Sequence, residues 1–196
     1  MKRILPLILV VCMLSVWSSA GVASSAQSNK EISALFLKEN PKLKVKEIKS
    51  EDLNNDKMKE YYLLDDEGQF WIYQNQKFRN INCCYYSDDD LEPAHIIFLK
   101  QNSKEKHVLV SFEYYPSNAS VAVFRLKKDK LEEILNLQGD RGVFIKGQSI
   151  LMQWKKYRNE GGWDEIATIY IWNNTKKKYE IKSSKPNGYN SDNFME

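Results

Sequence analysis

From Leu43 onward the chain alternates short apolar runs with polar stretches rich in Asn, Asp, Gly and Lys. Leu43 and Val45 alternate with Lys42, Lys44 and Lys46, a period of two that predicts an exposed or edge strand. Tyr61 to Leu64 and Phe70 to Tyr73 are apolar on consecutive residues, which predicts strands covered on both faces. Asp65-Asp66-Glu67-Gly68 supplies the hairpin between them, and Phe78 to Ile81 adds a weaker fourth strand. The same order returns twice. Ile96 to Leu99, Val108 to Phe112, Val121 to Leu126 and Leu131 to Leu137 form a second set, the last outermost because it alternates less cleanly. Val143 to Ile145, Ile150 to Trp154, Ile166 to Trp172 and Tyr179 to Ile181 form a third.

Tyr61, Val108 and Ile150 hold equivalent places roughly 40–47 residues apart, a spacing typical of four-stranded repeats. The pattern therefore predicts a mainly β fold. It has about twelve antiparallel strands in three four-stranded meander repeats, propeller-like or as a curved sheet. Propellers usually close on four or more blades, so a flattened barrel or an atypical small propeller also stays open. Ahead of the repeats, Ser28 and Asn29 cap a short N-terminal helix from Lys30 to Glu39, stopped by Pro41. Ile32, Leu35 and Phe36 share one face of it and are expected to pack as a lid on a sheet. One β-repeat domain is expected over residues 27–182, with a polar, flexible tail over 183–196.

The first 26 residues read differently. Lys2 and Arg3 precede an apolar run from Ile4 to about Trp17, and small residues follow through Ala20 and Ala26. Basic, apolar, small is the order of a secretory signal peptide, and the run is shorter than the roughly 20 residues that cross a bilayer. Cleavage is expected after Ala26, with Ala20 the second candidate. Leu9-Val10-Val11-Cys12 resembles a bacterial lipobox, with Val11 where that motif takes a small residue. The mature chain is expected to be secreted, or to sit in the periplasm or cell envelope, with no transmembrane anchor.

Losing this leader changes the charge and cysteine arguments. Lys2 and Arg3 are two of the 29 basic residues, so the remainder nearly balances the 26 acidic ones. No concentrated positive field is left to bind nucleic acid. Cys12 goes too, leaving Cys83 and Cys84. Adjacent Cα atoms lie ~3.8 Å apart, below the usual ~4.4–6.8 Å disulfide span, so a vicinal bridge is strained. Buried thiols or an intermolecular bridge are the alternatives. No CxxC pair exists, which excludes thioredoxin-like and zinc-ribbon chemistry.

Asp52-x-Asn54-x-Asp56, with Glu60 beyond, sets oxygen ligands at alternate positions of a polar loop, as Ca²⁺ sites do. Together with the two apolar strands that follow, residues 52–75 resemble the FG-GAP/VCBS-like repeats of β-propellers. The resemblance implies that Asp52, Asn54, Asp56 and Glu60 are metal ligands. Lys57 stands where that motif has Gly, and the turns at Gln101-Asn102-Ser103 and Lys146-Gly147-Gln148 carry no carboxylate set. No cofactor is therefore expected, calcium being the one ion the resemblance raises. An Asx-type turn is the competing reading of the same residues.

Catalytic machinery is thin. The chain has two histidines, His95 and His107, and no GxSxG, HExxH or P-loop pattern. Asp88, Asp89 and Asp90, with Glu92, could act in glycoside hydrolysis only at a defined separation across a sugar; a contiguous acidic run reads first as a solvated loop.

Aromatic residues in loops carry more information. In an up-and-down meander the connections alternate between two ends. One end is predicted to gather Tyr85, Tyr86, Asp88, Asp89, Asp90, Tyr115, Arg158 and Trp163, and the other Lys77, Lys127, Lys128, Lys130, Lys176 and Lys177. Aromatic side chains bury much area at low entropy cost, which marks the first set as the ligand-binding candidates. The chain thus reads as an exported non-enzymatic binding or interaction domain for a protein or carbohydrate outside the cytoplasm. A secreted hydrolase of cell-wall glycans, or an inhibitor of a secreted enzyme, is the alternative.

Overall fold

The computed structural model describes residues 27–82, 95–114 and 118–186. Among the described residues are one helix, α1 (Asn29–Glu39), and twelve strands. Sheet one is β1 (Val45–Glu51), β2 (Glu60–Asp65), β3 (Phe70–Gln74) and β4 (Lys77–Ile81). Sheet two is β5 (His95–Lys100), β6 (Lys106–Tyr114), β7 (Asn118–Lys127) and β8 (Lys130–Gly139). Sheet three is β9 (Gly142–Lys146), β10 (Ser149–Tyr157), β11 (Trp163–Asn173) and β12 (Lys178–Pro186). Each sheet is an antiparallel meander in sequence order, and the three remain separate sheets with no closed barrel among the described residues.

Period-two alternation sorts the apolar residues into layers. In β6 and β7, Val108, Val110, Phe112, Ala122 and Phe124 face sheet one and pack with Tyr62, Leu64, Phe70 and Ile72. Their neighbours Leu109, Val121 and Val123 face the other way, with Leu99, against Ile150, Trp172 and Tyr179 of sheet three. Ladder pairs such as Val108↔Phe124 and Leu109↔Val123 keep each set on its own face. Sheet one is apolar on both faces too. Tyr61, Leu63 and Tyr73 on its far side meet Ile32 and Phe36 of α1. The order through the molecule is α1, sheet one, sheet two, sheet three.

The helix starts where the sequence says it should. Ser28 Oγ accepts the Glu31 N–H at 3.3 Å and Glu31 Oε2 accepts the Ser28 N–H at 2.7 Å, a reciprocal capping box. Asn40 ends it, its side-chain amide donating to the Phe36 carbonyl at 3.1 Å. Phe36 then sits edge-on to Trp71 and Phe78, both at 5.2 Å between ring centres.

At the other terminus the outcome differs from expectation. β12 continues past 182 to Pro186, pairing Ser183, Ser184 and Lys185 with Ile169, Thr168 and Ala167 of β11. Polar residues are compatible with an edge strand, whose ladder is made by the backbone, so composition alone misreads this stretch as tail.

Phe36→Ala should cost about 3–5 kcal/mol, the usual range for emptying a buried aromatic site. Denaturant unfolding of the protein and of the variant would measure it. A loss below about 1 kcal/mol would mean that α1 contributes little to covering sheet one.

Candidate functional site

The strand ends form two unlike surfaces. At one end lie the β1–β2 loop, the β5–β6 loop and the turns that close β3–β4, β7–β8 and β11–β12. Gln74↔Lys77 and Lys127↔Lys130 close two-residue turns, with Asn75, Gln76, Lys128 and Asp129 all at positive φ between 47° and 62°. These turns are bound to one another across the sheets. Asn55 Nδ2 donates to the Lys104 carbonyl at 3.2 Å, and Arg79 donates to the Asp129 carbonyl at 2.6 Å. Asn102 donates to Asn174 at 2.9 Å, and Lys177 pairs with Glu105 at 3.2 Å. The lysines gathered here are partly neutralised, Lys127 by Glu132 and Lys176 by Glu180.

The Asp52 loop belongs to this end and closes on itself. Asp52 accepts the N–H groups of Asp56 and Lys57 at 3.2 and 3.0 Å, and Asn54 Oδ1 accepts that of Asp56 at 3.0 Å. Asp56 accepts the Met58 N–H at 2.7 Å. Lys57 takes φ 71° and Asn55 φ 62°, so the backbone makes the turn that a Gly would have eased. Glu60 is not turned to the loop's solvent side: it is 3% exposed, and its Oε2 accepts the Leu53 N–H at 3.0 Å. Burial pushes its carboxyl up to about 7, the nearby Asp56 and Asp52 adding to the rise and the Leu53 N–H opposing it. Lys106 Nζ, on the Asp52 carbonyl at 2.8 Å and Glu51 at 2.6 Å, already holds a positive charge beside the loop. This donor set does not fit a divalent cation: its oxygens serve the loop's own N–H groups, a lysine stands beside it, and Glu60 is buried on the Leu53 N–H. The residues make an Asx-type turn.

His107 is likewise structural. It is fully buried between sheets two and three, 4.5 Å from the Trp172 ring. Gln101 donates to the Tyr179 hydroxyl at 2.9 Å, and that hydroxyl shares a second hydrogen bond with His107 Nδ1, also at 2.9 Å. Nε2 faces Glu105 Oε1 at 3.3 Å. Burial lowers its pKa to about 4 against the opposing pull of Glu105. His95 is exposed at the start of β5, and Cys83 and Cys84 lie outside the described residues.

The opposite end holds the β10–β11 hairpin and the short β8–β9 connection. Of the aromatic-end candidates, Tyr85, Tyr86, Asp88, Asp89, Asp90 and Tyr115 lie outside the described residues. Arg158 and Trp163 are brought together. Arg158 Nη2 donates to the Trp163 carbonyl at 3.4 Å, and Gly161 and Gly162 turn between them at φ 95° and 75°. Tyr157, the last residue of β10, completes the group, its ring 6.5 Å from that of Trp163. Both rings are open to solvent, 69% and 47% exposed, with the Lys155 ammonium 5.0 Å from the Trp163 ring centre.

Beside this hairpin a cavity of about 450 Å³ opens between sheets two and three. It is bordered by Asn118 and Ser120 of β7, Gln138 and Gly139 of β8, Asp140 and Trp154. Ala119 and Gly139 stand opposite each other in the ladder. Gly139 also lets the sheets close, since a Cβ there would lie 2.7 Å from Met152 Cε and 2.9 Å from the Gln153 carbonyl. Trp154 donates its indole N–H to Thr168 at 3.0 Å, and Asp140 Oδ2 accepts the Lys155 N–H at 2.9 Å. Sequence reading missed these residues. Trp154 lies inside an apolar strand and reads as core, and nothing local marks Ala119 and Gly139 as partners.

No protein-family model matches the chain, and no curated protein matches it. Among the described residues no helix is long and apolar enough to cross a membrane.

Two expected outcomes test this description. Calcium at millimolar concentration, compared with a chelator, should leave the melting midpoint unchanged, whereas a bound ion at one hundred times its dissociation constant would add about 2.7 kcal/mol. The second concerns pH. Glu60, raised from 4.5 to about 7, contributes stability below pH 4.5 that is lost as pH rises through 7. His107, lowered from 6.5 to about 4, contributes stability above pH 6.5 that is lost as pH falls through 4. The slopes oppose each other between pH 4.5 and 6.5. Glu60→Gln should therefore unmask a stability that rises with pH across that window, by at most about 1.4 kcal/mol per unit. A flat profile in the variant would remove His107 from the account.

Proposed function

We propose that the chain is an exported, non-enzymatic binding domain whose working face is the end bearing Tyr157, Arg158 and Trp163. The observation that carries this reading is the open aromatic hairpin beside a cavity, at the end opposite the interlocked turns. Large aromatic rings held in solvent lose hydration cost when a partner covers them, and Trp, Tyr and Arg are the residues that dominate such interfaces. Export rests on the basic, apolar, small order of the first 26 residues. The partner is a protein or carbohydrate outside the cytoplasm.

A hydrolase of glycans would need two carboxyl groups facing each other across a sugar. Asp140 is the one carboxylate bordering the cavity among the described residues, and it holds a backbone N–H. Both nitrogens of His107 are engaged in the core. These features favour binding over catalysis.

Capture of partners from the native extracellular fluid by the mature chain tests the reading. Changing Tyr157 and Trp163 together to Ala should abolish capture without lowering the melting midpoint. Changing Lys127 and Lys128 together to Glu should leave it intact. The reverse pattern would move the working face to the lysine end.

A further inference from the structure

We propose that the lysine-bearing end is a docking surface for a bilayer with anionic phospholipid headgroups, Met58 entering among them. This surface is opposite the aromatic end, so either reading can fail without the other. Charge that nearly balances over the chain is separated between the two ends. The connections at the lysine end with their flanking residues, 51–60, 74–77, 100–106, 127–130, 146–149 and 173–178, hold thirteen lysines against six carboxylates. The described connections at the other end, 65–70, 139–142 and 157–163, hold five carboxylates against two arginines.

The carboxylates at the lysine end are engaged, while many of the ammonium groups are not. Asp52 and Asp56 accept N–H groups of their own loop, and Glu60 is buried on the Leu53 N–H. Glu51 pairs with Lys106, Glu105 with Lys177, and Asp129 accepts from Gln74 at 3.3 Å. Lys57, Lys59, Lys77, Lys104, Lys128 and Lys130 are exposed and have no ion-pair partner among the described residues. One connection from each sheet holds a lysine in the left-handed region, Lys57 at φ 71°, Lys128 at 47° and Lys177 at 52°. Asn, Asp or Gly takes that conformation at lower cost, so local backbone preference does not account for lysine at all three.

Two features select a bilayer over a soluble polyanion. The exposed lysines are spread over connections of all three sheets, and an extended array of headgroup phosphates can meet them together. Met58 stands between Lys57 and Lys59, 62% exposed, where a bilayer interface receives an apolar side chain and a soluble polymer does not. A lysine within a Debye length of anionic lipid strengthens binding about fivefold. The cross-sheet hydrogen bonds of Asn55, Arg79 and Asn102 fix the connections before docking, which lowers the ordering cost. Docked this way, the protein holds the end with Tyr157 and Trp163 away from the bilayer.

The test is co-sedimentation with vesicles of residues 27–196, which carry every described helix and strand. Vesicles of phosphatidylcholine with a quarter phosphatidylglycerol should bind the protein, and vesicles of phosphatidylcholine alone should not. Binding should fall steeply as salt is raised from about 0.05 to about 0.5 M. Lys104→Glu with Lys128→Glu should weaken it by roughly 25-fold or more, about fivefold for each lysine lost. The same charge change at the other end, Lys42→Glu with Lys44→Glu beside the β2–β3 hairpin, should leave it within about twofold, being screened from the bilayer. Met58→Ser, which leaves the charge unaltered, should weaken vesicle binding severalfold. Lys128→Gln alone, expected to cost about fivefold, decides the matter should the double variant lose its melting transition. No binding to the anionic vesicles, equal binding to the neutral ones, or equal losses from the two lysine pairs would each overturn the proposal. Vesicle binding indifferent to Met58→Ser, with polyphosphate bound more tightly than vesicles, would assign the end to a soluble polyanion and overturn it too. Failure of capture through Tyr157 and Trp163, with vesicle binding intact, would remove the aromatic-end reading and support this one.

Discussion

Sheet two is apolar on both faces, and a sheet in that condition cannot be left with either face in water. Successive residues of β6, Val108 and Leu109, belong to two different cores because a strand sends neighbouring side chains to opposite sides. Both faces therefore need covering sheets, and sheets one and three provide them. Sheet one inherits the same requirement on its far side, where Tyr61, Leu63 and Tyr73 would otherwise meet water, and α1 meets it. The layer order follows from one repeated demand rather than from any single contact. Burial of this kind, at roughly 25 cal/mol per Å² of apolar surface, is the term large enough to set it.

Hydrogen bonding then differentiates what hydrophobic layering leaves alike. The layers by themselves would give two similar ends of strand turns. At one end Asn55, Arg79, Asn102 and Lys177 reach from turn to turn across sheet boundaries, so that end is a cross-linked surface. At the other, sheets two and three are pinned at Gly139 and separate beside Trp154. The buried polar groups are arranged with less economy. The Tyr62 hydroxyl and Arg125 Nε are enclosed without a hydrogen-bond partner among the described residues, each at the cost of a desolvated polar atom. Glu60 and His107 are buried with partners, and burial pulls each towards its uncharged form.

Much of this architecture could be read from the chain before any coordinates. The twelve strands, their grouping in fours and the capped helix from Ser28 follow from period, turn residues and capping chemistry, all of which act over a few neighbouring residues. The Asp52 loop could be read in part: its polar pattern predicted a tight turn, while the way the Asp52 carboxylate takes the N–H groups of Asp56 and Lys57 depended on Lys57 accepting a left-handed backbone. For β12 the sequence was misleading, because backbone pairing to β11 does not need apolar side chains.

By itself, the sequence determined which segments are strands, where they turn and that several must be covered on both faces, since those properties reside in adjacent residues. Only the tertiary structure decided which sheet covers which and what stands at each end. Trp154 reads as one more core residue until β7 and β8, from a different repeat, border an open cavity with it. His107 reads as a free histidine until Tyr179 and Glu105 take its two nitrogens. Both outcomes depend on contacts between residues distant along the chain, and periodicity carries no information about which distant partner a face will meet.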